Sequence, residues 1–349
     1  MTKKYRATDY YARMSELMPT VSPHIDSLTP GHKKMQCVVI GDPTQTQIGE
    51  FRISITMDVG LTLVLAEPIR NEQINANSPH THVEPEFFFT YSGSYKILSG
   101  LNNRDANFII LNKYDFIVPP PYNFRHFATC DDNSYLFAGI PSYRPKQFYW
   151  APQPLIDAKG RGLVLLDDNT LIDTTRGYKI PKGAKEMPLP SEEFLKRHGV
   201  LTAAELEENT FRYNKAKWHP FQDGLEVIYA VGPDNAKYPF QLKRRVNLNA
   251  YIFKLFTREK ISLINSYGAA LIMFDGEINI TLHLEDDDHT ILVRPGDTLV
   301  IPDGVTYDLE LISKEAQYYL LISQDYSEVV PSKDKDRIAE PKGQAGAYG

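Results

Sequence analysis

From about residue 35 to 145, apolar residues come in short runs: QCVVIG, FRISITMDVG, LTLVLAEPI, EFFFTYSGSYKILSG, ANFIILNKYDFIVPP, HFATC and SYLFAGI. Gly, Pro and Asn-Asp breaks separate them. Runs of this length and composition, closed by turn formers, predict the strands of an all-β sandwich or barrel. The turn at Ser92-Gly93-Ser94 predicts a hairpin between EFFFTY and YKILSG. The pattern returns from 225 to 328 in EVIYAVG, NAYIFKLFT, ISLINSYGAALIMFDGEINITLHL, TILVRPGDTLVIPDGVTYDLELI and AQYYLLIS. Between the two, residues 146–224 are more polar, and SEEFLKRHG and TAAELEENTFRYNKAKW predict two helices. Ser191 and Thr202 are their N-caps, and Gly199 ends the first. Residues 1–34 read as an N-terminal arm, with a short helix begun at Thr8-Asp9 and stopped before Pro19. Residues 329–349 read as a flexible polar tail.

Composition narrows the partners. The 349 residues are 42% hydrophobic and 23% charged, with a net charge of −6 and no long basic run. That argues against nucleic acid and against an anionic membrane surface. Cys37 and Cys130 are too few for a disulfide framework, and no apolar stretch reaches bilayer length. A cytoplasmic protein is the expectation.

The candidate chemistry lies in Ser78 to Gly93, SPHTHVEPEFFFTYSG. On a strand, His80 and His82 project from the same face, and a bend at Pro85 can bring Glu86 round to them. His126 arrives on a later strand and completes a set of three imidazoles and a carboxylate. Such donors suit one divalent transition metal. Iron(II), Fe2+, is the first choice, with Mn, Ni, Co, Cu and Zn as alternatives. Four protein ligands leave two positions open on an octahedral ion, room for a substrate oxygen beside O2. Glu86 is also a candidate general base. Phe88, Tyr95 and Ile97 are placed inward, as an apolar wall for a substrate or as ordinary core. Arg125, one residue before His126, is expected to face away from the metal.

These residues carry a resemblance to the cupin superfamily. His80, His82, Glu86 and Gly93 match the first cupin motif, G-x5-H-x-H-x3,4-E-x6-G, with the correct gaps. Asp115, Pro121 and His126 match the second, G-x5-P-x-G-x2-H-x3-N, more loosely. In the later segment RPGDTLVIPDGVTY matches the second motif through Gly296, Pro302 and Gly304, with Tyr307 at the ligand position. Counting back from Gly276 puts Ala269, Asn265 and Leu263 at the other three ligand positions. The resemblance therefore implies a bicupin: two antiparallel β-sandwich (jelly-roll) barrels with a partly helical connector. The domains would be a metal-binding cupin at 35–145, the connector at 146–224 and a cupin without ligands at 225–328. By resemblance to gentisate, hydroquinone and quercetin dioxygenases, it implies an oxidoreductase that opens an aromatic ring with O2. Such enzymes would assemble as a dimer or tetramer. The alternatives are a non-oxidative metal-dependent lyase, isomerase or decarboxylase, or a non-catalytic ligand-binding cupin.

Overall fold

The computed structural model describes residues 9–21, 24–26, 28–29, 34–41, 51–53, 60–66, 77–102, 106–132, 134–141, 148–244, 246–285 and 287–337. Much of FRISITMDVG and the last part of the tail therefore lie outside the described residues. The chain divides into two compact units, one of residues 18–51 and 60–215, the other of residues 1–17, 52–59 and 216–349. Each is an antiparallel β-sandwich.

In the first unit, one sheet runs Thr210–Phe211, Phe116–Ile117, Phe87–Ser92, Tyr135–Ile140, Gly60–Ala66, Lys34–Ile40, Thr20–Val21. The facing sheet has five strands in the order Phe148–Trp150, His80–His82, Arg125–Thr129, Tyr95–Ser99, Asn107–Leu111. Alternation along each strand sends one set of side chains between the sheets. Phe88, Ile117 and Leu136 from one sheet meet Tyr95, Ile97, Ile109, Leu111 and Phe127 from the other. Each such side chain taken from water contributes about 1.5–3 kcal/mol before entropy is charged against it. The Ser92-Gly93-Ser94 turn is not a hairpin of paired strands. Gly93, at φ 68°, carries the chain from one sheet to the other, and a Cβ there would meet Ser134 Oγ at 1.9 Å.

The helices of this unit are short. Ser191 Oγ accepts from Phe194 N at 3.1 Å at the start of Glu192–His198. Thr202 and Glu205 form a reciprocal capping box on Ala203–Glu208. The second helix stops well before its sequence suggests, because Thr210–Phe211 pairs with Phe116–Ile117 and Arg212 binds Asp115 at 2.7 Å. Pro152–Gly160 is a further helix that the apolar pattern does not reveal; Ala158 packs with Ile25, Trp150, Leu163 and Leu165.

The second unit repeats the plan. One sheet runs Tyr11–Ala12, Thr298–Ile301, Ala269–Asp275, Ala316–Ser323, Leu248–Leu255, Leu225–Gly232, His219–Gln222. The other runs Asp288–Val293, Ile278–His283, Thr306–Leu311, Ile261–Asn265, Val329–Pro331. Residues 329–331, read from sequence as tail, thus form a strand against Leu263–Asn265. The N-terminal helix is replaced by a strand pair, Tyr11 opposite Leu299, and a single 3-10 turn at Met14–Glu16. Asp297 takes the Met14 amide at 2.9 Å and the Tyr11 hydroxyl, which fixes the chain before a helix can start. Among the described residues no helix is long and apolar enough to cross a membrane.

Candidate metal centre

The strand His80–His82 places its two imidazoles on one face, with Thr81 between them on the other. Ligand atoms of His80, His82 and Glu86 all lie within 4.8 Å of one another, and all three residues are buried. His80 Nδ1 lies 3.0 Å from the carbonyl oxygen of Ser78. A carbonyl only accepts, so Nδ1 carries the proton and Nε2 keeps its lone pair. Burial pushes the His80 pKa down to about 3, so the ring is neutral at ordinary pH. Burial and then the charge of Arg125 push His82 down as well.

The fourth member of the site is Arg125. Its Cα stands opposite His80 in the antiparallel pairing, and directly opposed residues share a face. Its Nε donates to Glu86 Oε2 at 2.7 Å, one terminal nitrogen donates to Asn123 O at 2.9 Å, and the other contacts His82 Nε2. Arginine has no acceptor, so His82 Nε2 accepts in that contact, and the same nitrogen lies 3.4 Å from Glu86 Oε2. His82 Nδ1 is 3.8 Å from the Glu84 carboxylate, beyond hydrogen-bond reach, which places Glu84 beside the His82 ring rather than in solvent. Burial works against a charged Glu86, but the Arg125 guanidinium outweighs it and holds the carboxyl well below its usual range.

His126 is where the structure departs from the sequence reading. It neighbours Arg125 on an extended strand and so projects from the opposite face, with its Cα opposite Leu98. It is fully buried but is not part of the His80, His82 and Glu86 group. The expectation that His126 is a ligand and Arg125 points away is therefore reversed. Phe88, Tyr95 and Ile97 lie together in the sandwich core, and the Tyr95 hydroxyl donates to Ser134 O at 2.7 Å. The aromatic neighbours of the imidazoles are instead Phe148 and Trp150, from the strand paired with His80–His82. Trp150 lies 5.3 Å from the His80 ring and Phe148 lies 4.9 Å from the His82 ring. Their F-x-W alternation opposite H-x-H is the available signal, since paired strands that bury one face alternate in step.

No known family profile matches the chain, and no curated protein matches it. Its architecture does have counterparts among solved structures. An oxalate decarboxylase of Lactobacillus farciminis, in a formate complex, aligns at 11% identity over 95% of this chain and 91% of that one, with a TM-score of 0.58. A mutant of Bacillus subtilis oxalate decarboxylase aligns at 12% identity over 98% and 89%, with a TM-score of 0.56. A vicilin from hazelnut, Corylus avellana, aligns at 13% identity over 93% and 88%, with a TM-score of 0.55. The chain has the bicupin fold. The ring-cleaving oxidoreductase expected from sequence is corrected by these matches, which are decarboxylases and a vicilin. Iron and an aromatic substrate lose their support with it.

Within the bicupin, the two barrels fix the register of the second motif. In the second barrel, Gly296 and Gly304 have φ of 87° and 66°. In the first, the residues at these turns are Tyr114 at 69° and Tyr122 at 61°. Asp115 Oδ2 accepts from Asn112 N at 3.1 Å, as Asp297 Oδ2 accepts from Arg294 N at 3.0 Å. Tyr114 therefore matches Gly296, Pro120 matches Pro302 and Arg125 matches Tyr307, which stands opposite Leu263 as Arg125 stands opposite His80. Matched on sequence alone, the motif falls one residue late, along a Pro119-Pro120-Pro121 run that offers no landmark of its own.

The donor chemistry fits a divalent cation at three of four positions. His80, His82 and Glu86 supply two neutral imidazoles and a carboxylate, a set shared by Mn, Fe, Co, Ni, Cu and Zn. The fourth position carries a guanidinium in place of a lone pair.

Proposed function

We propose that the first barrel is a non-oxidative, metal-dependent cupin site that acts on a small carboxylate, as a decarboxylase or a related lyase. The convergence of His80, His82 and Glu86 on one buried point carries this reading. His80, His82 and Glu86 would hold the ion. Bound there, a divalent metal supplies Lewis-acid polarisation of a substrate oxygen. Manganese is favoured over iron because a matching Bacillus subtilis oxalate decarboxylase is described by its Mn(II) centres. The chain's own residues do the rest. Ser78 O orients the His80 imidazole, and the Glu84 carboxylate adds negative charge beside His82. Phe148 and Trp150 cover them and limit water. Once off Glu86, the permanent charge of Arg125 complements a substrate carboxylate, which a neutral side chain would not. Glu86 as general base is part of this proposal only if its carboxylate is released from Arg125. The second barrel lacks the donor set and serves as scaffold.

A specific observation favours a second reading. Arg125 already neutralises Glu86, as expected of a cupin that holds a ligand without a metal or turnover. Both readings are separated by loading the full chain with Mn(II) and supplying small mono- and dicarboxylates in an oxygen electrode. Carbon dioxide release without stoichiometric oxygen uptake, lost in His82→Ala, is the expected result. Oxygen consumed in step with product, or no bound metal, would overturn the proposal.

A further inference from the structure

We propose that Arg125 is a built-in competitor for the metal: its guanidinium holds the lone pairs of Glu86 and His82 that an ion needs, and metal enters only as Arg125 leaves. The inference rests on the metal-site reading above. Arg125 stands at the position that Tyr307 fills in the second barrel, a position that points into the sandwich. It is 1% exposed. Its Nε uses Glu86 Oε2, and its contact with His82 uses Nε2, the atom free to ligate. Two of the three donors are therefore engaged by one side chain.

Close by, buried Lys34 pairs with Asp26 at 3.4 Å, and Asp26 Oδ2 also takes the Ser78 amide at 2.8 Å. Arg125 pairs with Glu86 at 2.7 Å. Two buried cations stand against Asp26, Glu86 and the Glu84 carboxylate beside His82, one negative charge in surplus, which a divalent ion overcompensates. A divalent ion added beside an unmoved guanidinium would bring surplus positive charge into a low-dielectric site. A histidine at this position could lose a proton to admit the ion, but a guanidinium cannot at any ordinary pH. Only movement of the side chain clears the site. It breaks the bonds to Glu86, His82 and Asn123 O, which the ion then replaces at the first two.

The test is calorimetric titration of Mn2+ and Zn2+ into the full-length wild type, Arg125→Met and Arg125→His. Arg125→Met is expected to bind one ion at least about 100-fold more tightly than wild type, because a buried like charge is gone. Arg125→His, with a fourth donor, should bind at least as tightly. Equal affinity in wild type and Arg125→Met would overturn the competition while leaving the metal site standing. No binding in any of the three proteins would overturn both. If the variants fail to fold, the wild type still decides. In its 15N spectrum the Arg125 Nε–H resonance, assigned through bonds from the Arg125 side-chain carbons, should shift saturably as Zn2+ binds. Zn2+ binding that leaves this resonance unmoved would refute the inference.

Discussion

At four equivalent positions the first barrel carries His80, His82, Glu86 and Arg125, and the second carries Leu263, Asn265, Ala269 and Tyr307. The surrounding backbone is the same: two left-handed turns, an Asp closing the first, and Gly93 and Gly276 at φ 68° and 79° where each chain changes sheet. In the second barrel Tyr307 donates to Asn265 Oδ1 at 3.0 Å, and burial keeps its hydroxyl protonated far into the alkaline range. One barrel is centred on an ion pair and the other on a neutral hydrogen bond. The turns that build the barrel do not depend on what its centre holds, so motif turns alone say little about chemistry.

The comparison breaks hardest at Glu86. Glu86→Leu leaves Arg125 buried without its carboxylate and should cost about 3–5 kcal/mol. Adding Arg125→Leu should recover most of that loss, since replacing both partners removes the orphaned charge. Urea unfolding of the three proteins measures it, and additive losses would show that the pair is not coupled. Nothing comparable can be done to the second barrel's centre, which has no charge to orphan.

Acid should separate the barrels next. His80 titrates at about 3 in the folded state against an ordinary 6.5, so between these values the unfolded chain binds the extra proton. Its contribution is fully present above 6.5 and is lost as pH falls towards 3. Glu86, held below its ordinary 4.5, contributes stability above that value that is lost as pH falls further. Tyr307 is raised, so its contribution is present below 10 and fades only above it. Fluorescence of Trp150, 5.3 Å from His80, reports the first barrel once Trp218→Phe removes the other tryptophan. Its transition should move to lower urea from pH 7 to pH 4. A transition that stays at the same urea concentration from pH 7 to pH 4 would contradict the assignment.

Two smaller effects sharpen the turn equivalence. Gly304→Ala meets nothing within 4 Å, so only its φ of 66° opposes it, at about 1–2 kcal/mol. Tyr122 already bears a comparable strain at 61°, partly offset by its ring against His198 at 5.0 Å. Tyr307→Phe should cost about 1–3 kcal/mol, because it leaves the buried Asn265 Oδ1 without its donor. Thermal denaturation resolves both, and a neutral Gly304→Ala would deny the special conformation.

Much of the architecture was legible because alternation is a strong signal. Ile278–His283 alternates buried and half-buried residues without a break. Ser191 and Thr202 announced their helices because a short side-chain acceptor meets the free amides of a first turn. H-x-H and the following Glu were readable because parity and one bend suffice to join them. The fourth position was not. Three consecutive prolines removed the landmark, tyrosines stood where glycines mark the turns, and a histidine beside the arginine drew the match one residue along. Local sequence could not say that the Ser92-Gly93 turn changes sheets either, because that depends on partners far along the chain.

In the first barrel, Arg125 rather than His126 lies with His80, His82 and Glu86 at the centre. Anomalous diffraction from crystals of the full chain soaked in Mn2+ tests it directly. The expected result is one peak ligated by His80, His82 and Glu86, with Arg125 turned away from Glu86 and His126 outside the coordination sphere. A peak ligated by His126, with Arg125 still on Glu86, would contradict it.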